Sequence, residues 1–397
     1  MILLKNVNLF NGVEEEIKPQ VHLLIHDGKI EKIADEYESI SGERWDQEID
    51  GRGRTVLPGL INVHVHLSLD PETEFVDFSR EAPERTLLKM VKNVRETIEA
   101  GITTVRDLGA RGHMDFILRE AVEQGMVPGP RMVLCGRLIT KTGGHGYILD
   151  GREADGPAEI MKAVREQVKA GADVIKVMST GGVMTPGVDP GLALYSLEEI
   201  EVAVEEARRN RRPTASHAQG TEGIQNAVEA GIDTIEHGIF LTEEVVDRMI
   251  ERGTYLVPTF APGEYVFGEE AERLFPAYAL EKGRQVIPIH RERFEKFGSK
   301  EGLKLGLGTD AGVPLVRHSD MVTELEIYTR FGFSNFEVLR LATYGNAELL
   351  GMEDRIGSLE EGKCADLILV DGDPLQDLSV LSAPNLVIRD GRIYRET

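Results

Sequence analysis

Short apolar runs alternating with amphipathic stretches through the middle of the chain, and β-rich segments at both ends, predict an α/β protein. The expected architecture is a (β/α)8 TIM barrel with a small β-sandwich formed by both termini. A third observation agrees with it. Several of the central apolar runs close on a histidine, lysine or aspartate followed by a small or turn-forming residue, and the carboxyl ends of barrel strands are where such enzymes keep their chemistry.

The elements follow in order. Residues 1–57 read as short strands, ILLKNVNLF and then VHLLIHDGKIEKIA, the latter divided by the turn dipeptide Asp27-Gly28. CADLILVDGDP and NLVIRDGRIYRE near the other end carry the same signal, with turns at Asp371-Gly372 and Asp390-Gly391. These two ends are expected to form one composite β domain over 1–57 and 356–397, around a catalytic barrel domain over 58–355. Within the barrel, strands are expected at 55–66, 103–108, 131–139, 173–179, 213–218, 233–237, 254–260 and 304–310. Helical runs such as RTLLKMVKNVRETIEAG and SLEEIEVAVEEARRN lie between most of them, several ending in a glycine suited to a C-cap: Gly101, Gly171, Gly231 and Gly253. Successive strand–helix units demand a parallel sheet with right-handed crossovers. The connection 261–303 is long and rich in Glu, Phe and Pro, and reads as a substrate-covering loop with a helix.

Composition narrows the function classes. The 397 residues are 41% hydrophobic and 28% charged, which is ordinary globular material. With 45 Lys and Arg against 68 Asp and Glu, the net charge is −23. That excess disfavours nucleic acid and anionic membrane surfaces. No stretch approaches the roughly 20 apolar residues of a membrane span, and MILLKNVNLFNG lacks the basic start of a signal peptide. Two cysteines, Cys135 and Cys364, make no disulfide framework. A cytoplasmic protein is expected, and homo-oligomerisation follows from base rate alone.

The chemistry lies in PGLINVHVHL, ADVIKVMSTGG, PTASHAQG, DTIEHG and LGLGTDAG. Strand residues alternate faces, so His64 and His66 project the same way. A single His-x-His is weak evidence. Joined by His217, His237 and Asp310 at other strand ends, it points to a site for divalent cations of the zinc, manganese, cobalt or iron kind rather than calcium or magnesium. Lys176 is the anomaly, because an ammonium beside dications is opposed by like charge and by burial. Either it reaches out to a surface carboxylate, or its neutral amine has reacted with CO2 to give an anionic carbamate that can bridge two metals.

With these residues in view, the chain resembles the amidohydrolase superfamily over essentially its whole length. PGLINVHVHL, VIKVMSTGG, SHAQG, TIEHG, GTDAG and the tail GSLEEGKCADLILVDGDP carry the resemblance in order. TVRDLG, TKTGGHG, LYSLEEI, HAQGTEGI and LATYGNAELLG make it similar to the imidazolonepropionase-like group containing metal-dependent Xaa-Pro and Xaa-Arg/Lys dipeptidases. The resemblance implies two divalent metal ions, zinc by expectation. His64, His66, Lys176 and Asp310 would hold the more buried one, and carbamylated Lys176, His217 and His237 the other. It implies that hydroxide bridging them attacks the scissile carbonyl, with Asp310 passing the proton to the leaving amine. Many relatives aligned here read His-Ala-His-Gly, whereas this chain has Gln219 after the kept ligand His217, and Gln cannot serve as a cationic substrate contact.

Other candidates are less specific. His145, in the Gly-rich loop after strand 3, is either a substrate contact or a turn residue. Tyr195 resembles the tyrosine that polarises the scissile carbonyl in this group; the alternative is a packing residue at a helix start. Arg317 and His318 are candidates for binding a substrate carboxylate, or for a surface ion pair. Asp107 reads as a loop-fixing group, His22, His26, His113 and His290 as structural or surface residues, and Gly51-x-Gly53 lacks the context of a nucleotide loop. The expected function is hydrolysis of an amide next to a free carboxylate, in a dipeptide such as Xaa-Pro or Xaa-Arg/Lys or in an N-acyl amino acid. The same site chemistry also admits lactones, esters, carbamates and aryl ureas. Imidazolonepropionase-type ring opening is opposed by Lys176, which those one-metal relatives lack. A non-catalytic scaffold is opposed by competent residues at all six ligand positions.

Overall fold

In the computed structural model, which describes residues 1–40, 44–75 and 81–397, backbone pairing sorts the strands into three sheets. In chain order the first strands are β1 (Ile2–Leu9), β2 (Lys18–His26), β3 (Lys29–Ala34), β4 (Gln47–Asp50), β5 (Thr55–Pro58), β6 (Leu60–Val65), β7 (Ile102–Asp107), β8 (Arg131–Leu134) and β9 (Ile139–Thr140). Then come β10 (Arg152–Glu153), β11 (Ile175–Met178), β12 (Thr214–Ala218), β13 (Thr234–His237), β14 (Tyr255–Val257), β15 (Lys304–Leu305), β16 (Leu367–Val370), β17 (Leu386–Arg389) and β18 (Arg392–Glu396). One 8-stranded sheet runs β18-β17-β16-β5-β1-β2-β3, with β4 beside β1, so strands from both ends of the chain share it. The other two are parallel: β6-β7-β8, and β10-β9-β11-β12-β13-β14-β15.

Backbone bonds also cross between the two parallel sheets. Val63 N–H donates to Leu307 O (3.3 Å), Asp310 N–H to His64 O (2.9 Å), and Asp173 N–H to Leu134 O (2.8 Å). Helices cover the outside. Pro83–Glu99 buries Met90, Val94 and Ile98 at four-residue spacing, as an amphipathic helix must. Leu197–Arg209 starts at a capping box between Ser196 and Glu199. Gly171, Gly231 and Gly253 end their helices with φ of +111°, +87° and +71°, a conformation that glycine adopts without strain.

Two expected strands divide. The 55–66 run breaks at Gly59, where β5 joins the sheet of the termini and β6 pairs with β7. The break needs glycine, because a Cβ there would lie 2.2 Å from the Thr103 side chain. The 131–139 run divides into β8 and β9. The 261–303 connection is more helical than its composition suggested. It holds Ala261–Tyr265, Ala271–Leu274 and a 21-residue helix, Ala277–Phe297. Gly283 and Pro288 mask that helix in the sequence, although its buried residues (Leu280, Gly283, Ile287, His290, Phe294, Phe297) keep the helical period. No helix of the described residues is long and apolar enough to cross a membrane.

Asn346, fully buried, links β6 to the chain after β15. Its Nδ2 donates to Ile61 O (2.6 Å) and Leu307 O (2.7 Å), while its Oδ1 accepts from Leu307 N–H (2.9 Å). Asn346→Leu takes a hydrogen bond from three buried backbone groups, and is expected to lower the unfolding free energy by about 3 kcal/mol in urea titrations. A loss below about 1 kcal/mol would mean that these bonds do not hold the strands together.

Candidate active site

Strand ends bring His64, His66, Lys176, His217, His237 and Asp310 to one cavity. Local backbone makes this possible. His237, Thr259 and Asp310 adopt φ of +72°, +58° and +57°, a conformation that is uncommon for non-glycine residues and a marker of functional strain. Gly308 clears the approach to His64, whose backbone N would lie 2.8 Å from a Cβ at that position.

The hydrogen-bond partners set the histidine tautomers. His64 Nδ1 lies 2.8 Å from Glu236, which accepts only, so Nδ1 carries the proton and Nε2 is bare. His66 Nδ1–H donates to Gly109 O (3.1 Å), and His217 Nε2–H to Gly181 O (3.0 Å). The Thr259 hydroxyl donates to Pro258 O, so it accepts from His237 Nδ1–H at 2.7 Å. Each imidazole therefore keeps one lone pair free. Ring centroids are 5.4 Å apart for His64 and His66, 5.1 Å for His64 and His237, 4.6 Å for His217 and His237, and 4.3 Å for His145 and His217.

Burial keeps most of these rings neutral. It pushes His64 down to about 4 and His145 to about 3, and holds His217 and His237 well below the usual range. For His66, the hydrogen bond and charge of Asp310 more than offset burial and raise it. Burial opposes the charge on Asp310 too, yet His64 and His66 hold it far below the normal carboxylate range. The ligand atoms of His64, His66 and Asp310 all lie within 4.8 Å of one another. Asp310 Oδ1 lies 3.4 Å from His64 Nε2 and 3.3 Å from His66 Nε2. A carboxylate and two imidazoles converging at this spacing fit a divalent cation.

Lys176 is 2% exposed, lines the same cavity, and makes no hydrogen bond or ion pair among the described residues. A reach to a surface carboxylate is thereby excluded. Burial lowers its ammonium to about 8. His145 and Gln219 line the cavity, with His145 Nδ1 2.8 Å from Thr185 Oγ1 and Gln219 Oε1 buried without a partner. Three expected substrate contacts stand outside it. The Tyr195 hydroxyl donates to Ala154 O at 2.8 Å, which matches the packing alternative. Arg317 is exposed and lines a separate hollow with Tyr265 and Asp320. His318 is buried with Nε2–H on Leu69 O (3.2 Å). A turn at Val313–Val316 carries both away from Asp310.

Sequence reasoning missed Glu236, Arg106 and Thr259. Glu236 is wholly buried, with Arg106 Nη2 2.9 Å from its Oε1. Arg106 also donates to Val63 O (2.6 Å) and Thr234 Oγ1 (3.1 Å). Strand alternation would set Glu236 opposite His237, but the left-handed φ of His237 lets both reach His64. The charge of Arg106 and the hydrogen bond from His64 hold Glu236 well below its usual range despite burial. A charge pair inside two short strands, TTVRD and TIEH, was the available signal. His290, read as structural, does line the cavity, stacked on Phe260 at 4.5 Å. Asp107 accepts from Leu67 and Gly109 N–H, fixing the loop as expected.

Comparison with known proteins agrees with this geometry. Residues 55–394 match the amidohydrolase family. A crystallised Xaa-Pro dipeptidase with methionine in its active site is 34% identical, with a TM-score of 0.90 over 99% of both chains. A prolidase complexed with N-methylphosphonate-L-proline is 28% identical, with a TM-score of 0.92 over 100% of both. Ochratoxinase of Aspergillus niger is 29% identical over 372 residues, covering 86% of this chain and 75% of that protein.

Glu236 orients His64 as an outer carboxylate orients a ligating imidazole. Glu236→Gln is therefore expected to weaken divalent-cation binding about 10- to 100-fold, measured by competition with a chromophoric chelator. Unchanged affinity would remove Glu236 from the site.

Proposed function

The chain belongs to the amidohydrolase family and is a hydrolase of carbon–nitrogen bonds; from that premise we propose that it binds two divalent cations, zinc foremost, and cleaves an amide next to a free carboxylate. The observation that carries the reading is the set of bare donors on one cavity face. In this reading His64, His66 and Asp310 hold one cation and His217 and His237 the other, with a carbamate on Lys176 shared between them. When bound, the cations polarise the scissile carbonyl and supply a nucleophilic oxygen near neutral pH.

The protein's own groups do the rest. The Lys176 ammonium first gives up one proton; the neutral nitrogen then adds to the carbon of CO2 and loses a second, leaving an anion where a buried cation stood. A pKa near 8 leaves about one lysine in ten neutral at pH 7, far more than for an ordinary lysine at 10.5. Asp310 takes the proton of the attacking water and returns it to the leaving amine. Of the expected substrate contacts, His145 and Gln219 are left to orient substrate, since Tyr195, Arg317 and His318 point elsewhere. Similarity to an Xaa-Pro dipeptidase and a prolidase supports a dipeptide or N-acyl amino acid as the small-molecule substrate. The bonds joining Val63 to Leu307 and Asp173 to Leu134 support a closed eight-stranded barrel over 58–355, with a composite β domain over 1–57 and 356–397. A cytoplasmic homo-oligomer completes the reading.

Two results test it. Lys176→Ala is expected to lose dipeptidase and N-acyl-amino-acid hydrolase activity and to regain part of it with short carboxylic acids; full activity without added acid would refute the carbamate. Metal-free protein given zinc and a fixed concentration of dissolved CO2 should reactivate faster as pH rises, about tenfold per unit up to about pH 8, then level off as Lys176 becomes neutral. A rate independent of pH over that window would contradict a free-amine step.

A further inference from the structure

The cavity has a polar floor and apolar walls. Phe75, Met184, Val266, Phe275, Val286 and Ile287 face it, and the cations nearest those walls are committed elsewhere. Arg291 pairs with Glu264 at 2.5 Å. Lys282 spends its ammonium on the carbonyls of Thr185 (2.7 Å), Val188 (2.5 Å) and Gly182 (3.3 Å). The neighbouring Tyr278 hydroxyl donates to Met184 O at 3.1 Å. Loop 182–188 is thus tied to helix Ala277–Phe297, and the two walls keep a set separation.

Two glycines let the apolar walls pack closely. Both Gly263 and Gly283 line the cavity. A Cβ on Gly283 would lie 3.1 Å from Val266 Cγ1, and one on Gly263 would lie 3.3 Å from Ile287 Cγ2. Gly283 sits inside a helix, where glycine is disfavoured; its missing Cβ admits Val266 to the cavity wall. A charged group entering here would lose water and find no free charge of opposite sign on these walls. An apolar one gains with every methylene removed from water.

We infer that this chamber is a subsite for a bulky, uncharged, apolar group flanking the scissile bond, aromatic or branched aliphatic, and that Gly283 and Ile287 set its size. The inference rests on the amide-hydrolase reading above. It is tested with zinc- and bicarbonate-loaded enzyme on N-acyl amino acids in which either half is graded from small to octyl or naphthyl size, beside charged groups of equal length. In one of the two series kcat/KM should rise about fourfold per methylene and fall for the charged members. Gly283→Leu should flatten that rise, and Ile287→Ala should move the optimum to larger groups. A flat series, a preference for charged groups, or an equal loss for all sizes in Gly283→Leu overturns the subsite.

A second readout needs no turnover. Binding of straight-chain carboxylic acids and naphthoate to the loaded enzyme is followed by calorimetry in wild type and Gly283→Leu. Tighter binding of longer acids that Gly283→Leu flattens, with no amide hydrolysed, would sustain the chamber and refute the hydrolase reading. Hydrolysis with no dependence on size in either measurement would do the reverse.

Discussion

Glu236, wholly buried between Arg106 at 2.9 Å and His64 Nδ1 at 2.8 Å, is the contact on which the site's arrangement depends. Its three partners in the interior come from different strands, since Arg106 lies on β7, His64 on β6 and Thr234 on β13 with Glu236 itself. A carboxylate this deep is tolerable only when paired and fully hydrogen-bonded. Removing one member of such a pair costs about 3–5 kcal/mol, because it strands the other charge. The same bond decides which nitrogen of His64 carries the proton. One interaction therefore aligns strands and prepares a ligand atom.

The rest of the cavity face repeats that economy. Each imidazole gives its N–H to the protein, through Gly109 O, Gly181 O or Thr259 Oγ1, and turns a bare nitrogen inward. Burial then keeps His64, His217 and His237 neutral, the state in which imidazole binds metal. Left-handed φ at His237, Thr259 and Asp310 costs roughly 1–3 kcal/mol at each position. Backbone bonds such as Asp310 N–H to His64 O hold the strained residues in place, and the buried Asn346 ties the same two segments from below. Strain is concentrated where side chains must converge, while the surrounding core supplies the stability.

Much of this was legible in the sequence. His64, His66, Lys176, His217, His237 and Asp310 each end an apolar run, and the structure brings them to one cavity. The strand–helix alternation and the β-rich termini were readable for the same reason, since period and turn residues are local signals. What failed was what depends on where a loop turns. Tyr195, Arg317 and His318 sit near the motifs in sequence, yet their side chains leave the cavity through one hydroxyl bond and one tight turn. Glu236 and Arg106 were overlooked because a charge inside a strand has no local mark of its partner, which lies 130 residues away. The Ala277–Phe297 helix was hidden by Gly283 and Pro288, the former of which lines the chamber.

The central claim is that two cations and one CO2 share this cavity face. Native mass spectrometry of protein reconstituted with zinc and bicarbonate tests it most directly. The account predicts two zinc ions and one added CO2 per chain, with the CO2 absent and zinc content reduced in Lys176→Ala. A single zinc ion without added CO2, or an identical ligand count in the variant, would contradict it.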